Sequence, residues 1–209
     1  MIALTVLALV QAFVIKAYRI PSASMEQTLI TGDRILVNRL DSHLERGDVV
    51  VFEHGDTWES TRRSPSENPA VNALRVVGSI IGLGPSTKAN TVKRLIARGG
   101  ETVSCCDDAG NILVDGVAYE EDYLGSNLPF TPGENDCASE PRSLRCFPEI
   151  PVPEGSLFLL GDNRGNSADS AAACRGRSDP ECARFVREEQ VVGPVIARFW
   201  PPTHIGTVR

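Results

Sequence analysis

The chain has 209 residues, 42% of them hydrophobic and 23% charged, with a net charge of −6 when histidines are neutral. That length and apolar content suit one globular domain, or one domain with a subdomain, around a sizeable core. The acidic balance argues against a general nucleic-acid binder, which would show a basic face.

Taken in order, Ile2 to Ile15 is nearly all apolar, broken only by Thr5 and Gln11. It is shorter than the roughly 20 residues that cross a bilayer. No basic stretch precedes it and no small-x-small site follows it, so it makes a poor secretory leader. A buried helix is one alternative. The reading adopted is the outer part of a transmembrane helix, an anchor over residues 1–17 whose start lies outside this chain, with Lys16 and Arg19 at its exit. Pro21-Ser22-Ala23-Ser24-Met25-Glu26-Gln27-Thr28-Leu29 follows, a Ser/Pro cluster that alone reads as loop. Ile35-Leu36-Val37 and Val49-Val50-Val51-Phe52 read as strands, the second entered through a Gly47-Asp48 turn. Glu53 to Pro69 is polar loop. Val71 to Leu83 places Ala73, Leu74, Val77, Ile80 and Ile81 at helical spacing, as a short core helix or an interfacial helix lying on a membrane. Gly78 and Gly82 weaken it either way.

Thr91 to Ala97 reads as a strand carrying Lys93, with Lys93 and Leu95 on one face and Val92, Arg94 and Ile96 on the other. Gly99-Gly100-Glu101 turns the chain, Thr102 to Ser104 pairs back, and Ile112 to Val114 with Asp115-Gly116 forms a hairpin arm and its turn. Tyr119 to Pro148 is loop-rich. Ser156 to Leu160 is an apolar, buried strand leading into Gly161-Asp162-Asn163-Arg164-Gly165-Asn166-Ser167-Ala168-Asp169-Ser170. A cysteine-bounded loop over 171–184 and a last strand over 191–199 complete the chain. Many short strands and few helices predict an all-β fold. Its mostly antiparallel catalytic core spans 18–103 and 148–209, and a smaller β insertion spans 104–147.

The six cysteines, beside a membrane-like segment, point to an oxidising, extracytoplasmic compartment. None has the Cys-x-x-Cys spacing of a zinc site. The simplest pairing is local, Cys137 with Cys146 and Cys174 with Cys182. Cys105 and Cys106 read equally as a vicinal bridge or as two free thiols.

A serine hydroxyl needs a base before it becomes a nucleophile. The three histidines, His43, His54 and His204, lie in no motif. Lysine occurs only at 16, 88 and 93. A lysine serves as base when burial lowers its pKa from about 10.4 toward 7–8, and Lys93 sits on an apolar-rich strand.

Together the stretches at Pro21–Leu29, Val92–Ile96 and Gly161–Ser170 resemble the boxes of type I signal peptidases, membrane-bound Ser/Lys proteases that remove secretory signal peptides. The resemblance implies Ser24 as nucleophile, Lys93 as general base, and an oxyanion hole built from the Ser24 N–H and the Ser22 hydroxyl. It implies that Ser167 orients the lysine with support from Asp169, that Arg94 and Asp162 form a structural ion pair, and that Tyr18, Ile20 and Val92 line shallow substrate pockets. Small pockets would impose a small-x-small preference. No cofactor and no metal is expected. The partners implied are signal peptides of preproteins and membrane lipid, with no nucleic acid, and the chain is expected to be a monomer. The implied location is the bacterial cell membrane, single-pass, with the catalytic domain extracytoplasmic, although Lys16 and Arg19 alone would place that side in the cytoplasm.

The sequence departs from the family pattern at Gln27 (usually Pro), Ala97 (often Gly), Glu101 (usually Asp) and Ala171 (usually an Arg that pairs with the aspartate). Asp169 is then either partnered by Arg175 or Arg177 of the cysteine-bounded loop or left unpaired. Other functional readings are a dedicated Ser/Lys processing peptidase for one substrate and an inactive extracytoplasmic β module that binds a partner. A self-cleaving repressor would carry a DNA-binding head, which this chain lacks. A penicillin-binding enzyme would place Lys three residues after the serine, where Gln27 stands.

Overall fold

The structure, a computed structural model, describes residues 14–55, 58 and 89–208. It is nearly all β, as the strand pattern predicts, and it divides into two compact units. The expected helix over 71–83 and the first thirteen residues of the expected anchor lie outside the described residues. Among the described residues no helix is long and apolar enough to cross a membrane.

The first unit holds residues 14–21, the described part of 31–92, and 189–208. Its strands are β1 (Ile15–Arg19), β2 (Arg34–Asn38) and β3 (Val49–Glu53), joined by the late strands β11 (Val191–Trp200) and β12 (Gly206–Thr207). β1 pairs antiparallel with β2, setting Tyr18 against Ile35. In β2 side chains alternate, so Ile35 and Val37 are buried while their neighbours are half-exposed. β3 carries four consecutive buried residues, Val49 to Phe52, as a strand covered on both faces must. β11 is long enough to pair with β3 through its first half and β2 through its second, with register shifts at the crossover. Such shifts bend a strand sharply.

The second unit holds residues 22–30 and 93–188. β4 (Asn90–Arg98) enters it at Lys93 and pairs antiparallel with β9 (Ser156–Leu160), which pairs in turn with β10 (Val186–Arg187). A separate four-stranded sheet runs β7 (Val117–Tyr119), β6 (Ile112–Val114), β5 (Thr102–Cys105), β8 (Phe147–Pro151). Ile96, Phe158 and Leu160 share one core with Val103, Ile112, Phe147 and Ile150. Burial of that apolar surface, at about 25 cal/mol per Å², holds the unit together.

Two segments differ from the expectation. Ile15 to Ala17, the last residues of the expected anchor, lie in β1, not in a helix. β8 begins inside the stretch read as loop through Pro148. It tolerates Pro148 and Pro151 because it is the edge strand of its sheet, where a missing N–H costs no ladder bond. All six cysteines are bridged, as Cys105–Cys106, Cys137–Cys146 and Cys174–Cys182.

Candidate active site

The segment Ser22–Ile30 is a tight, turned loop. The N–H of Glu26 donates to the Ala23 carbonyl at 3.0 Å and that of Leu29 to the Met25 carbonyl at 2.7 Å. Met25 and Leu29 are buried and anchor it. Ser24, directly before Met25, is half-buried. The loop is also held from outside. Asn163 donates its backbone N–H to the Ser24 carbonyl at 3.1 Å and its side-chain amide to the Ala23 carbonyl at 3.2 Å.

Lys93, the first β4 residue of this unit, is 2% exposed. Its Nζ lies 2.6 Å from Ser24 Oγ. Burial drives its pKa down from 10.5 to about 8, against the opposing pull of the Asp169 and Asp162 carboxylates. The amine is therefore half neutral near pH 8, where it is able to accept the proton of Ser24. Ser22 Oγ is 3.5 Å from Ser24 Oγ.

Next along β4, Arg94 is 1% exposed and grips Asp162 with two hydrogen bonds of 2.9 and 2.7 Å. It also donates to Thr28 Oγ1 at 3.2 Å, and Thr28 donates to Asp162. Burial alone would weaken the charge on Arg94, but the hydrogen bonds and charge of Asp162 raise its pKa further. This ion pair ties β4 to both the serine loop and the third motif. Asp169 is fully buried, accepts from the Gly161 N–H at 3.2 Å and pairs with Arg175 Nη2 at 3.3 Å. Of the two arginines the sequence offers in place of the one missing at Ala171, Arg175 is the partner.

Ser167 departs from its expected role. Its Oγ is buried without a hydrogen-bond partner, so the expected bond to Lys93 is not made. It does stand close to the dyad. A Cβ built on Gly161 would come within 2.5 Å of the Ser24 carbonyl oxygen and closer still to Ser167 Oγ. Glycine at 161 is what allows the third motif to approach the Ser22–Ile30 loop this closely.

The three expected pocket residues belong to the first unit. Tyr18 lies in β1, half-buried, with its phenol pushed up to about 12 chiefly by burial. Ile20 is 2% exposed and is held by a bond from its N–H to the Asp33 carbonyl. Val92 is half-buried on β4, one residue before the lysine. The histidines have other partners: His54 bonds Thr91, His204 pairs with Asp33, and His43 is exposed on its loop. The sulfurs of Cys106, Cys137 and Cys146 lie within 4.8 Å of one another, the spacing of a metal site, but each is consumed in a disulfide.

Thr28, Asn163 and Arg164 lie inside the motifs but carry no role in the sequence reading. Glu121 and Tyr123, outside the motifs, reach the same network. Tyr123 lies with its ring 3.8 Å from the Arg94 guanidinium, and Glu121 pairs with Arg164.

Comparison with known proteins gives consistent matches. The family model described as signal peptidase, peptidase S26, matches residues 1–200. Signal peptidase I of Mycobacterium tuberculosis (strain ATCC 25618 / H37Rv) is 36% identical over 208 residues, covering 94% of this chain and 69% of that protein. The probable signal peptidase I of Mycobacterium leprae (strain TN) is 34% identical, covering 94% and 72%. Signal peptidase I of Leptolyngbya laminosa is 31% identical, covering 94% and 74%.

Proposed function

The chain belongs to the signal peptidase family, peptidase S26, a family of serine peptidases, and on that premise we propose that it cleaves signal peptides from preproteins with Ser24 as nucleophile and Lys93 as general base. The observation that carries this reading is the 2.6 Å approach of a buried, pKa-lowered lysine to a serine hydroxyl. Neutral Lys93 takes the Ser24 proton as Oγ attacks the scissile carbonyl. The Ser24 N–H and the Ser22 hydroxyl receive the developing oxyanion, each worth about 3–4 kcal/mol when well formed. The ammonium then returns its proton to the leaving amine, leaving an ester on Ser24. Water, deprotonated by the same lysine, releases the acyl half. Tyr18, Ile20 and Val92 form the shallow pockets that admit only small side chains, giving a small-x-small preference. The apolar N-terminal run that precedes β1 anchors the protein in the bacterial cell membrane with the catalytic units outside, consistent with three disulfides.

The pH–rate profile tests the assignment. With Lys93 near 8, log kcat/KM for a peptide with an Ala-x-Ala junction rises with unit slope below that pH and levels off above it. A profile that climbs unbroken through pH 10 would mean that the base does not have the lowered pKa of a buried Lys93.

A further inference from the structure

Resting on the Ser24/Lys93 reading, we propose that Glu121 is a positioning residue of the reaction, the anchor of a strap over residues 121–126 that locks both halves of the dyad in register. The strap leaves the small sheet just after β7 and crosses to the catalytic elements of the same unit.

The Glu121 carboxylate is 6% exposed and meets Arg164, 3% exposed, through a two-pronged ion pair, one bond of 3.1 Å from Nη1 to Oε2 and a second from Nη2 to Oε1. Bidentate pairs of this kind fix geometry as well as charge. Arg164 donates its Nε to the Gly161 carbonyl at 3.0 Å and its backbone N–H to the Ser126 carbonyl at 3.1 Å. Ser126 also forms a parallel bridge with Asn163. Asn163 is the residue that holds the Ala23 and Ser24 carbonyls. One end of the strap thus fixes the loop that fixes the nucleophile.

The other arm reaches the base. Tyr123 donates its hydroxyl to Glu121 Oε1 at 2.6 Å, and its ring faces the guanidinium of Arg94. Arg94 follows Lys93 directly on β4, so its placement sets the backbone that carries the lysine. Between the two arms, Gly125 packs so tightly on the Gln27 side chain that a Cβ there would overlap it. Gln27 lies three residues beyond the nucleophile. These contacts of the strap reach Arg94 beside Lys93, Gln27 of the serine loop, and the 161–164 loop that binds Ser24. A purely structural ion pair would have no reason to converge there.

The charge balance makes the role testable. Three guanidinium–carboxylate pairs surround the dyad: Arg94 with Asp162, Arg164 with Glu121, and Arg175 with Asp169. Arg145 and Tyr119 lie at longer range. Lys93 feels Asp169 and Asp162 directly. Neutralising Glu121 leaves Arg164 to draw on Asp169, which already interacts with it. That weakens the hold of Asp169 on the lysine ammonium and favours the neutral amine.

The experiment compares Glu121→Gln, Tyr123→Phe and Ser24→Ala in cleavage of an Ala-x-Ala peptide across pH 5–10. Glu121→Gln is expected to lower plateau kcat at least about tenfold with KM nearly unchanged, because a misplaced reacting group loses rate rather than binding. Its acid limb moves below that of the parent. Tyr123→Phe keeps the ring and loses one bond, and is expected to lower kcat about two- to fivefold without moving KM. A Glu121→Gln protein with parental kcat and an unmoved limb overturns the proposal. If Glu121→Gln does not accumulate folded, Tyr123→Phe decides alone: the stated fall in kcat supports the strap, and parental kcat overturns it. Activity retained in Ser24→Ala would instead overturn the underlying dyad, a separate outcome.

Discussion

Replacing Ser24 by Ala, or Lys93 by Met, leaves folded protein that no longer cleaves an Ala-x-Ala peptide, with kcat lower by about 10⁴-fold or more. The magnitude follows from removing a unit that acts as one. Without the hydroxyl there is no ester intermediate. Without the amine the hydroxyl keeps its proton. The two single losses and the double loss should be about equal, because either alone disables the same step. Lys93→Met carries a second signature that no inert surface lysine would give. Burial holds Lys93 near 8 instead of 10.5, so at neutral pH the folded chain shelters a proton in an apolar site. At 1.36 kcal/mol per pH unit, the 2.5-unit difference costs about 3 kcal/mol of stability. The sign is fixed by the depressed lysine pKa: the cost is full below pH 8, declines between 8 and 10.5, and vanishes above. Lys93→Met is therefore more stable than the parent at pH 7, with a melting temperature higher by about 6–12 °C, and the two converge near pH 10.5. Parallel melting curves at pH 7 and 10 decide this. Equal stability at both pH values would place Lys93 in contact with solvent.

Asp162→Ala is expected to cost about 3–5 kcal/mol of folding stability, the largest single loss outside the core. It strands Arg94, 1% exposed, without its buried counter-ion. It also removes the acceptor that Thr28 shares, loosening the serine loop, so activity falls as well. Removing both charges together, in Arg94→Met/Asp162→Leu, should restore most of the stability, since a well-packed apolar pair replaces a buried ionic one at little cost. Urea unfolding of the two singles and the double gives the coupling. A single Asp162→Ala that loses under about 1 kcal/mol would mean that Arg94 finds solvent.

Much of this architecture is legible in the sequence, because its strands announce themselves locally. The β-branched run at 49–52, the apolar run at 156–160 and the Asp115-Gly116 turn carry their own signals. β1 does not. It begins at the last residue of the apolar run and carries Lys16 and Arg19, and only pairing with β2, nearly twenty residues on, makes it a strand. β8 carries two prolines, which argue against a strand until its edge position is known. In the site, the motifs mark which residues hold chemistry, since hydroxyl, amine and glycine spacing are written in the chain. The distances between motifs are not. Ser24 and Lys93 are 69 positions apart, and Arg164 and Glu121 are 43 apart. No spacing rule joins such pairs; the sheet does. The same holds for Asp169, whose partner the sequence narrows to Arg175 or Arg177 and whose choice depends on how the disulfide-closed loop 174–182 folds back. Ser167 shows the reverse. Its motif position implied a bond that its side chain does not make here.

The most direct test of the account is to catch the ester. The protein is quenched in acid during turnover of an Ala-x-Ala peptide, and its intact mass and peptide map are measured. The expected result is an added mass equal to the acyl half of the substrate, on the peptide containing Ser24, and absent from Lys93→Met. An adduct on another residue, or steady cleavage in the Ser24→Ala protein, would contradict it.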